Sequence, residues 1–443
     1  MNKQPIILAA AASLVLGATA CDLDVPDLNN PGIDQLEDNP TPSAVSAAAT
    51  GLIIGNRRNN AQANGYVAQL GILGREAYNF DQADPRFINE LLKGDLNPGS
   101  PFGGNFWAGP YANIKVADIL VEVVGQVVEF DAAAQSGIKG FAHTIRALDL
   151  LEVVNTHDVN GGVIAEVNRD EDLPPIVDKA AVLTEIATLL DTASQELAAG
   201  GDAFVFPLSS GYTGFDTPAT FLTFNRALRA RVAAYQEDYQ GVLSALAGSF
   251  VDDVGAMRTG VYHAYSTGTG DTVNNLINPN IYAHPSVRAD ADPDDERLAK
   301  LITVEEAGAM GYTSSDQFTL YTDPNDDLPI IRNEELLLLR AEAKFFTNDD
   351  AGATDDLNIV RTTSGGLPAI AAPITDEAEF VDALLYERRY SLLFEGGHRW
   401  IDTRRFGRTA ELPLDQAGDT LNLAYPIPDA ECNGRPSTDP ACQ

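Results

Sequence analysis

Two carboxylates near the C-terminus have a spacing that invites a catalytic reading. Glu387 and Glu395 lie two helical turns apart, and a pair of carboxylates is the acid and base of glycosidic bond cleavage. The same segment also holds Arg388, Arg389, Arg399, Arg404 and Arg405. Carboxylates among so many guanidinium groups favour a structural ion-pair network over catalysis. We expect this network to lock the helix against the turn that follows it, and Glu395→Ala to impair folding more than binding.

The other residue types show no familiar catalytic or metal-binding spacing. None of the five histidines belongs to a His-Glu-x-x-His motif, and no serine lies in a Gly-x-Ser-x-Gly elbow. Alternating acidic residues at Asp290–Asp294 and Asp323–Asp327 raise the possibility of calcium loops. However, Asp295 and Leu328 stand where such loops require glycine. We therefore favour solvated loops at both places and expect neither a cofactor nor an enzymatic activity.

Aromatic, amide and carboxylate residues in long loops suggest a different chemistry. Aromatic rings stack on sugar rings, and amides and carboxylates bond sugar hydroxyls. The irregular stretches at about 76–106 and 251–330 hold both kinds of group, and loops of this length are usually functional. The candidate ligand-binding residues are Tyr78, Phe80, Asp81, Phe102, Tyr262, Tyr265, Asn274, Asn275 and Tyr282. Because the chain has only two Trp, which we assign to the core, we expect a small pocket rather than an extended platform.

The elements that must position these residues are mainly α-helices. Thr41-Pro42 has the pattern of an N-cap followed by proline, and apolar residues then recur at helical spacing to about Gly55. Similar periodicity predicts helices near 107–123, 141–151, 180–199 and 221–246, and strict alternation typical of strands is scarce. In the C-terminal third the pattern predicts a helix hairpin. Such pairs stack into superhelices like those of tetratricopeptide repeats, so we predict a mainly α, TPR-like fold with long irregular loops.

The two ends of the chain carry the cysteines. An apolar run of about twelve residues, too short to span a bilayer, precedes Ala18-Thr19-Ala20-Cys21. This resembles the lipobox of bacterial lipoproteins and predicts a signal peptide over 1–20, lipidation at Cys21 and a tether over 21–40. Ordinary cleavage after Ala20 is the alternative. In an oxidising compartment, Cys432 and Cys442 would close a small loop.

The charge balance narrows the range of partners. The 443 residues include 29 Lys and Arg against 64 Asp and Glu, for a formal net charge of -35. A surface of this sign repels polyanions, so we expect no nucleic-acid partner.

Four C-terminal segments together resemble the SusD/RagB family. Residues 387–407 read ERRYSLLFEGGHRWIDTRRFG and are similar to the family's ERR-EL-FEG-RW-DL-RWG signature. Upstream, 329–343 (PIIRNEELLLLRAEA) and 357–361 (LNIVR) resemble two further family motifs, and 425–431 (YPIPDAE) resembles a fourth. On this basis we assign a structural role to the signature residues Glu387, Arg388, Glu395, Arg399, Asp402 and Arg405.

The resemblance implies a lipid-anchored protein on the outer face of an outer membrane. Members of the family cap a SusC-like TonB-dependent transporter and capture an oligosaccharide, or sometimes a peptide, for import. We expect an N-terminal helical part at 41–250, a ligand-binding insertion at 251–330 and a C-terminal motif region at 331–443. The alternatives are a RagB-like peptide binder, an outer-membrane glycan hydrolase and a TPR-like scaffold that binds only proteins.

Overall fold

The computed structural model describes residues 36–37, 40–165, 173–436 and 438–442. The predicted signal peptide, Cys21 and nearly all of the predicted tether lie outside these residues. The helices are α1 (Pro42–Arg57), α2 (Tyr66–Leu73), α3 (Arg86–Asn89), α4 (Ala108–Val123), α5 (Ala132–His157), α6 (Lys179–Ala198), α7 (Pro218–Tyr235), α8 (Tyr239–Leu246), α9 (Pro285–Ala289), α10 (Asn333–Phe346), α11 (Asp350–Thr363), α12 (Glu377–Ser391), α13 (His398–Arg405) and α14 (Asp429–Asn433). The strands are β1 (Ala77–Asn79), β2 (Gly260–His263), β3 (Ile281–Ala283), β4 (Leu301–Ala309), β5 (Tyr312–Phe318) and β6 (Leu328–Arg332).

N-cap side chains and an early proline mark the starts of long helices. Thr41 accepts a hydrogen bond from the Ala44 backbone N–H, and Pro42 occupies the first turn of α1. At the start of α12, the Asp376 side chain accepts a hydrogen bond from the Glu379 backbone N–H. These caps satisfy backbone donors that have no partner inside the helix, which fixes the helix starts.

Successive helices pack on one another, which confirms the predicted mainly α architecture of paired helices. α4, α5, α6, α7 and α8 each contact the next, α10 packs on α7 and α8, and α11 folds back on α10. Ala227, Ala230, Ala233 and Ala234 are fully buried, so small side chains let α7 approach its neighbours closely. The resulting core runs through the N-terminal helices and into α10.

A second core lies under segments that the sequence pattern describes as loops. It combines residues from 61–106, 265–328 and 390–425. Three antiparallel two-stranded ribbons, β1 with β3, β2 with β6 and β4 with β5, shape this region. The stretch at 251–330 is therefore not wholly irregular, because β4 and β5 pair with each other inside it and β3 pairs with the distant β1. The division of the chain at 250 and 330 does not coincide with the two cores.

Helix α12 ends earlier than its sequence suggests. The Gly396-Gly397 pair predicts a stop there, but the helix ends at Ser391. The Lys300 ammonium donates to the carbonyls of Tyr390 and Ser391, at 2.8 and 2.5 Å, and so binds acceptors left open at the helix end. The chain then turns through a left-handed Gly397, and α13 starts at the next residue.

Glu387 and Glu395 are buried members of ion pairs, but their partners differ from those expected. Arg297 donates to Glu387 at 2.6 Å and Arg361 at 2.9 Å. The Nε of Arg332 lies 2.9 Å from Glu395. These arginines come from other parts of the chain: Arg297 precedes β4, Arg332 ends β6 and Arg361 lies on α11.

Most arginines of the signature pair with other carboxylates, but Arg399, predicted to share this structural role, forms no ion pair with the described residues. Arg388 binds Asp402 at 2.6 Å, and Arg405 binds both Asp402 at 3.1 Å and Glu342 at 2.5 Å. The network therefore joins α10, α12 and α13, and it also ties α12 to the rest of the body through Arg297 and Arg332.

The C-terminal tail is fastened by a disulfide between Cys432 and Cys442. Trp107 donates its indole N–H to Glu431 at 3.0 Å, which links the tail to the start of α4. Trp107 and Trp400 are both buried, as the sequence predicts. None of the helices in the described ranges is long and apolar enough to cross a membrane.

Removing the Glu395 carboxylate tests the structural role of the network. Glu395→Ala leaves Arg332 buried with only Glu334 as a charged partner, so we expect the free energy of unfolding to fall by about 3–5 kcal/mol. Urea denaturation of the mature chain measures this loss. The matched control is Glu411→Ala, which breaks a pair with Arg408 at a largely exposed site and should cost about 1 kcal/mol or less. Equal losses for the two variants would contradict a structural role for Glu395.

Candidate functional site

Five of the nine predicted ligand-binding residues are buried in the second core or beside it, which corrects their assignment to a binding surface. They are Tyr78, Phe80, Phe102, Tyr265 and Asn274. Their polar atoms bond the protein itself: the Tyr78 hydroxyl donates to Asp415 at 2.8 Å, and the Asn274 amide donates to the Asp326 carbonyl at 2.9 Å. The periodicity of a loop does not reveal such burial, because the packing partners lie far away in the sequence.

The other four candidates are half-buried and do not form one site. Tyr282 packs on Phe80, with ring centroids 5.4 Å apart, on the β1–β3 ribbon. Asp81 follows this ribbon and lines a cleft of about 390 Å³ with neighbouring polar residues and Met310. Tyr262 bonds the Arg258 carbonyl, whereas Asn275 bonds Gln62 beyond the end of α1.

The two acidic runs considered for calcium serve the protein's own turns and ion pairs. Asp290 pairs with Arg389, and Asp292 accepts from the Asp294 backbone N–H. Asp323 accepts likewise from Asn325. In the described parts of the chain, no three His, Cys, Asp or Glu side chains converge as a metal ion would require.

A larger cleft opens between α1, α4 and α5 and the turn at Gly270, and we call it the helix cleft. Its volume is about 460 Å³. Its walls combine glycines with amide and carboxyl side chains, the main polar residues being Asn56, Arg58, Asn59, Asn113, Asp149 and Glu152. At Gly55 an added Cβ would lie 2.2 Å from the Asn113 side-chain oxygen, so glycine is needed for α1 and α4 to approach.

Two asparagines clamp the buried carboxyl group of Asp149 at the floor of the cleft. Asn56 on α1 donates to one carboxyl oxygen at 2.7 Å, and Asn113 on α4 donates to the other at 2.7 Å. Asn113 also donates to the Leu52 carbonyl, which fixes the orientation of its amide. Burial raises the pKa of Asp149 to about 7, although both amide bonds favour the charged form. Three helices are thus joined through one carboxyl group.

Glu152 lies one turn further along α5 and faces open space. It is half-buried and lines both the helix cleft and a smaller inner cavity of about 70 Å³. Burial, and then the charge of Asp149, raise its pKa well above the usual value for glutamate. Within the described residues its carboxyl group makes no hydrogen bond or ion pair. It is therefore free to bond a ligand hydroxyl, as donor when protonated and as acceptor when ionised.

The helix cleft was not predicted, although one signal for it exists in the sequence. Asp149 interrupts an apolar run, Leu148-Asp149-Leu150-Leu151, on the inner face of a long helix. A carboxylate at such a position needs buried partners or a function. Its partners, Asn56 and Asn113, come from two other helices and cannot be identified by spacing.

The raised pKa of Asp149 predicts a specific pH effect on stability. The folded-state pKa of about 7 lies above the ordinary aspartate pKa of 3.8, so the folded protein binds this proton more tightly than the unfolded chain. The contribution of Asp149 to stability therefore falls as pH rises from about 4 to about 7. We expect the stability of the wild type relative to Asp149→Asn to fall by about 2.5 kcal/mol between pH 5 and pH 8.

Urea denaturation at both pH values, with Asp202→Asn at an exposed position as the control, measures the effect. Using the difference between the two proteins cancels the histidines, which titrate in both. A difference that stays constant, or that rises with pH, would contradict the buried state of this carboxyl group.

Comparisons with known proteins agree with the fold and with the C-terminal motifs. Residues 310–436 match the SusD family model. No curated protein sequence matches the chain. A SusD superfamily protein from Bacteroides vulgatus ATCC 8482 has a TM-score of 0.67 at 18% identity, covering 90% of this chain and 99% of that chain.

Two further solved structures are similar to this chain. A laminarin-binding SusD-like protein has a TM-score of 0.62 at 19% identity, covering 89% of this chain and 97% of its own. NanU of B. fragilis has a TM-score of 0.66 at 16% identity, covering 91% of this chain and 97% of its own. The matched region contains the buried signature of α12 and α13, and the fold shared with these structures extends over most of the chain: this protein has a SusD-like fold, and its C-terminal part matches the SusD family model.

Proposed function

We propose that this protein is a non-catalytic outer-membrane lipoprotein that binds an oligosaccharide nutrient and delivers it to a SusC-like TonB-dependent transporter. The observation that carries the proposal is the helix cleft with its unengaged Glu152 carboxyl group in a chain with a SusD-like fold. The anchor would be Cys21, which precedes the described residues.

The chemistry of the helix cleft suits a ligand rich in hydroxyl groups. Its volume of about 460 Å³ falls within the range of roughly 300–1,000 Å³ that is usual for small-molecule sites. Asn59 and Glu152 offer both donors and acceptors, and they are carried by the turn that ends α1 and by α5 rather than by a long loop. Because helices hold these groups in place, little conformational entropy is lost when a ligand binds.

The similar structures support a sugar rather than another nutrient. One of them is described as laminarin-binding, and laminarin is a glucan. A peptide remains the alternative ligand, because the polar side chains of the cleft wall can also bond a peptide backbone. Binding measurements with both ligand classes separate these two possibilities.

A glycan hydrolase is the second candidate, since Asp149 and Glu152 form a carboxyl pair with raised pKa values. Hydrolysis needs two carboxyl groups that both reach the scissile bond or its water. Asp149 is buried, and each of its oxygens is bonded to an asparagine. Only Glu152 faces the cleft, so the geometry favours binding over cleavage.

Calorimetric titration of the mature chain, residues 22–443, with panels of oligosaccharides and peptides tests the proposal. We expect a glycan to bind without release of products. Glu152→Gln removes the ability to become charged, and with it the stronger hydrogen bond to a hydroxyl, so it should weaken affinity about tenfold. The matched control is Asp81→Asn, which neutralises a carboxylate in the other cleft and should leave affinity within about twofold.

The other outcomes each exclude part of the proposal. Release of shorter sugars would contradict the non-catalytic role, and binding of peptides alone would contradict the choice of ligand. If Asp81→Asn reduces binding and Glu152→Gln does not, the ligand lies in the cleft beside the β1–β3 ribbon. If neither oligosaccharides nor peptides bind, and proteins other than an outer-membrane barrel co-purify with the chain, the protein-binding scaffold would be favoured.

A further inference from the structure

A third cleft lies between α12 and α13, beside Asp290, and we call it the arginine cleft. It has a volume of about 360 Å³ and shares no lining residue with the helix cleft. Two arginines, Arg389 and Arg399, and two tyrosines, Tyr386 and Tyr390, line it together with several acidic residues. The state of each charge decides what the cleft can bind.

Every acidic residue at the wall of the arginine cleft already has an arginine partner. Asp290 pairs with Arg389 at 2.8 Å. Asp382 and Glu411 both pair with Arg408, at 3.1 and 2.9 Å. Asp402, the fourth, is held by two arginines of the buried network. Each acidic residue therefore has a positive partner within the protein, although Asp382 and Glu411 share one arginine.

Arg399 is the exception among these charges. Among the described residues its guanidinium group has no hydrogen bond and no ion pair, and its Nε is buried without a partner. The buried carboxyl group of Glu76 forms no ion pair with it, and burial raises the pKa of Glu76 to about 7. Burial and then the charge of Arg389 lower the pKa of Arg399 to about 10, so it still carries its charge at neutral pH. An unpaired guanidinium group at a cleft wall has its donors free for an anion.

The tyrosines beside Arg399 are held firmly. The Tyr386 hydroxyl donates to Asp295 at 3.0 Å and accepts from the Asp292 backbone N–H at 3.0 Å. Its ring packs on Tyr390, with centroids 4.7 Å apart, and the side chain remains half-buried. Because its hydroxyl is already engaged, Tyr386 offers a ligand a rigid aromatic surface rather than a polar tip.

We propose that the arginine cleft binds the carboxylate of an acidic saccharide, with the guanidinium group of Arg399 pairing with the carboxylate and the sugar ring packing on Tyr386. A planar guanidinium matches a carboxylate with two parallel hydrogen bonds, and a tyrosine face suits the apolar side of a sugar ring. This site is independent of the hydroxyl-binding role of the helix cleft. It gives an otherwise strongly acidic protein a place where an anionic sugar is attracted.

Titration of the mature wild-type chain with trigalacturonate and with galactotriose, its uncharged counterpart, is the first test. We expect trigalacturonate to bind more tightly, and its affinity to fall as sodium chloride is raised. Equal affinity for the two sugars, or no binding of trigalacturonate, would overturn the proposal. This comparison needs no variant and therefore does not depend on how a substitution folds.

Arg399→Met then tests whether Arg399 is the residue that binds the carboxylate of trigalacturonate. We expect affinity for trigalacturonate to fall at least about tenfold, Arg399→Lys to lie between the two, and thermal stability to be retained because no ion pair is lost. The control is Arg86→Met, which removes an arginine from a surface pair with Asp84 outside the arginine cleft. Unchanged affinity in Arg399→Met would overturn the assignment.

Glu152→Gln separates this site from the helix cleft. If trigalacturonate binding is lost in Glu152→Gln and retained in Arg399→Met, the acidic sugar occupies the helix cleft and the present inference fails while the proposed function stands.

Discussion

The fold depends on carboxylates and guanidinium groups that are buried together where β6 enters α10. Arg332 ends the strand and binds Glu395 after α12, while Glu335 on the first turn of α10 binds Arg231 of α7 at 2.6 Å. Buried ion pairs of this kind add little net stability. Breaking one, however, leaves a buried charge without a partner, which costs several kcal/mol of folding free energy, roughly 3–5. The pairs therefore specify one arrangement of the helical core, the ribbon-bearing core and the C-terminal helices.

The helix cleft and the arginine cleft differ in the charge of the group that each leaves free for a ligand. In the helix cleft, a carboxyl group is clamped between amides and a second one stays free, which suits neutral hydroxyl groups and disfavours anions. In the arginine cleft, every acidic residue is paired and one guanidinium group is left over. In each cleft a neighbour of the free group is held by hydrogen bonds before a ligand arrives, Asp149 beside Glu152 and Tyr386 beside Arg399, and such preorganisation lowers the cost of binding.

The sequence predicts the helices better than it predicts the site, for physical reasons. Caps and helical periodicity are local, so Thr41-Pro42 and Asp376 correctly mark the starts of helices. The β1–β3 ribbon pairs residues that are about two hundred positions apart, as Tyr78 and Tyr282 are, and no local pattern contains that information. For the same reason Tyr78, Phe80 and Phe102 proved to be core residues. The partners of Glu387 and Glu395 likewise came from outside the signature.

Hydrogen exchange with mass spectrometry tests the location of ligand binding most directly. The mature chain would be compared with and without the glycan that stabilises it best. We predict slower exchange at residues 51–59, 109–116 and 149–152, the three segments that form the helix cleft. Slower exchange confined to other segments, with none at these three, would contradict the assignment of nutrient binding to this cleft.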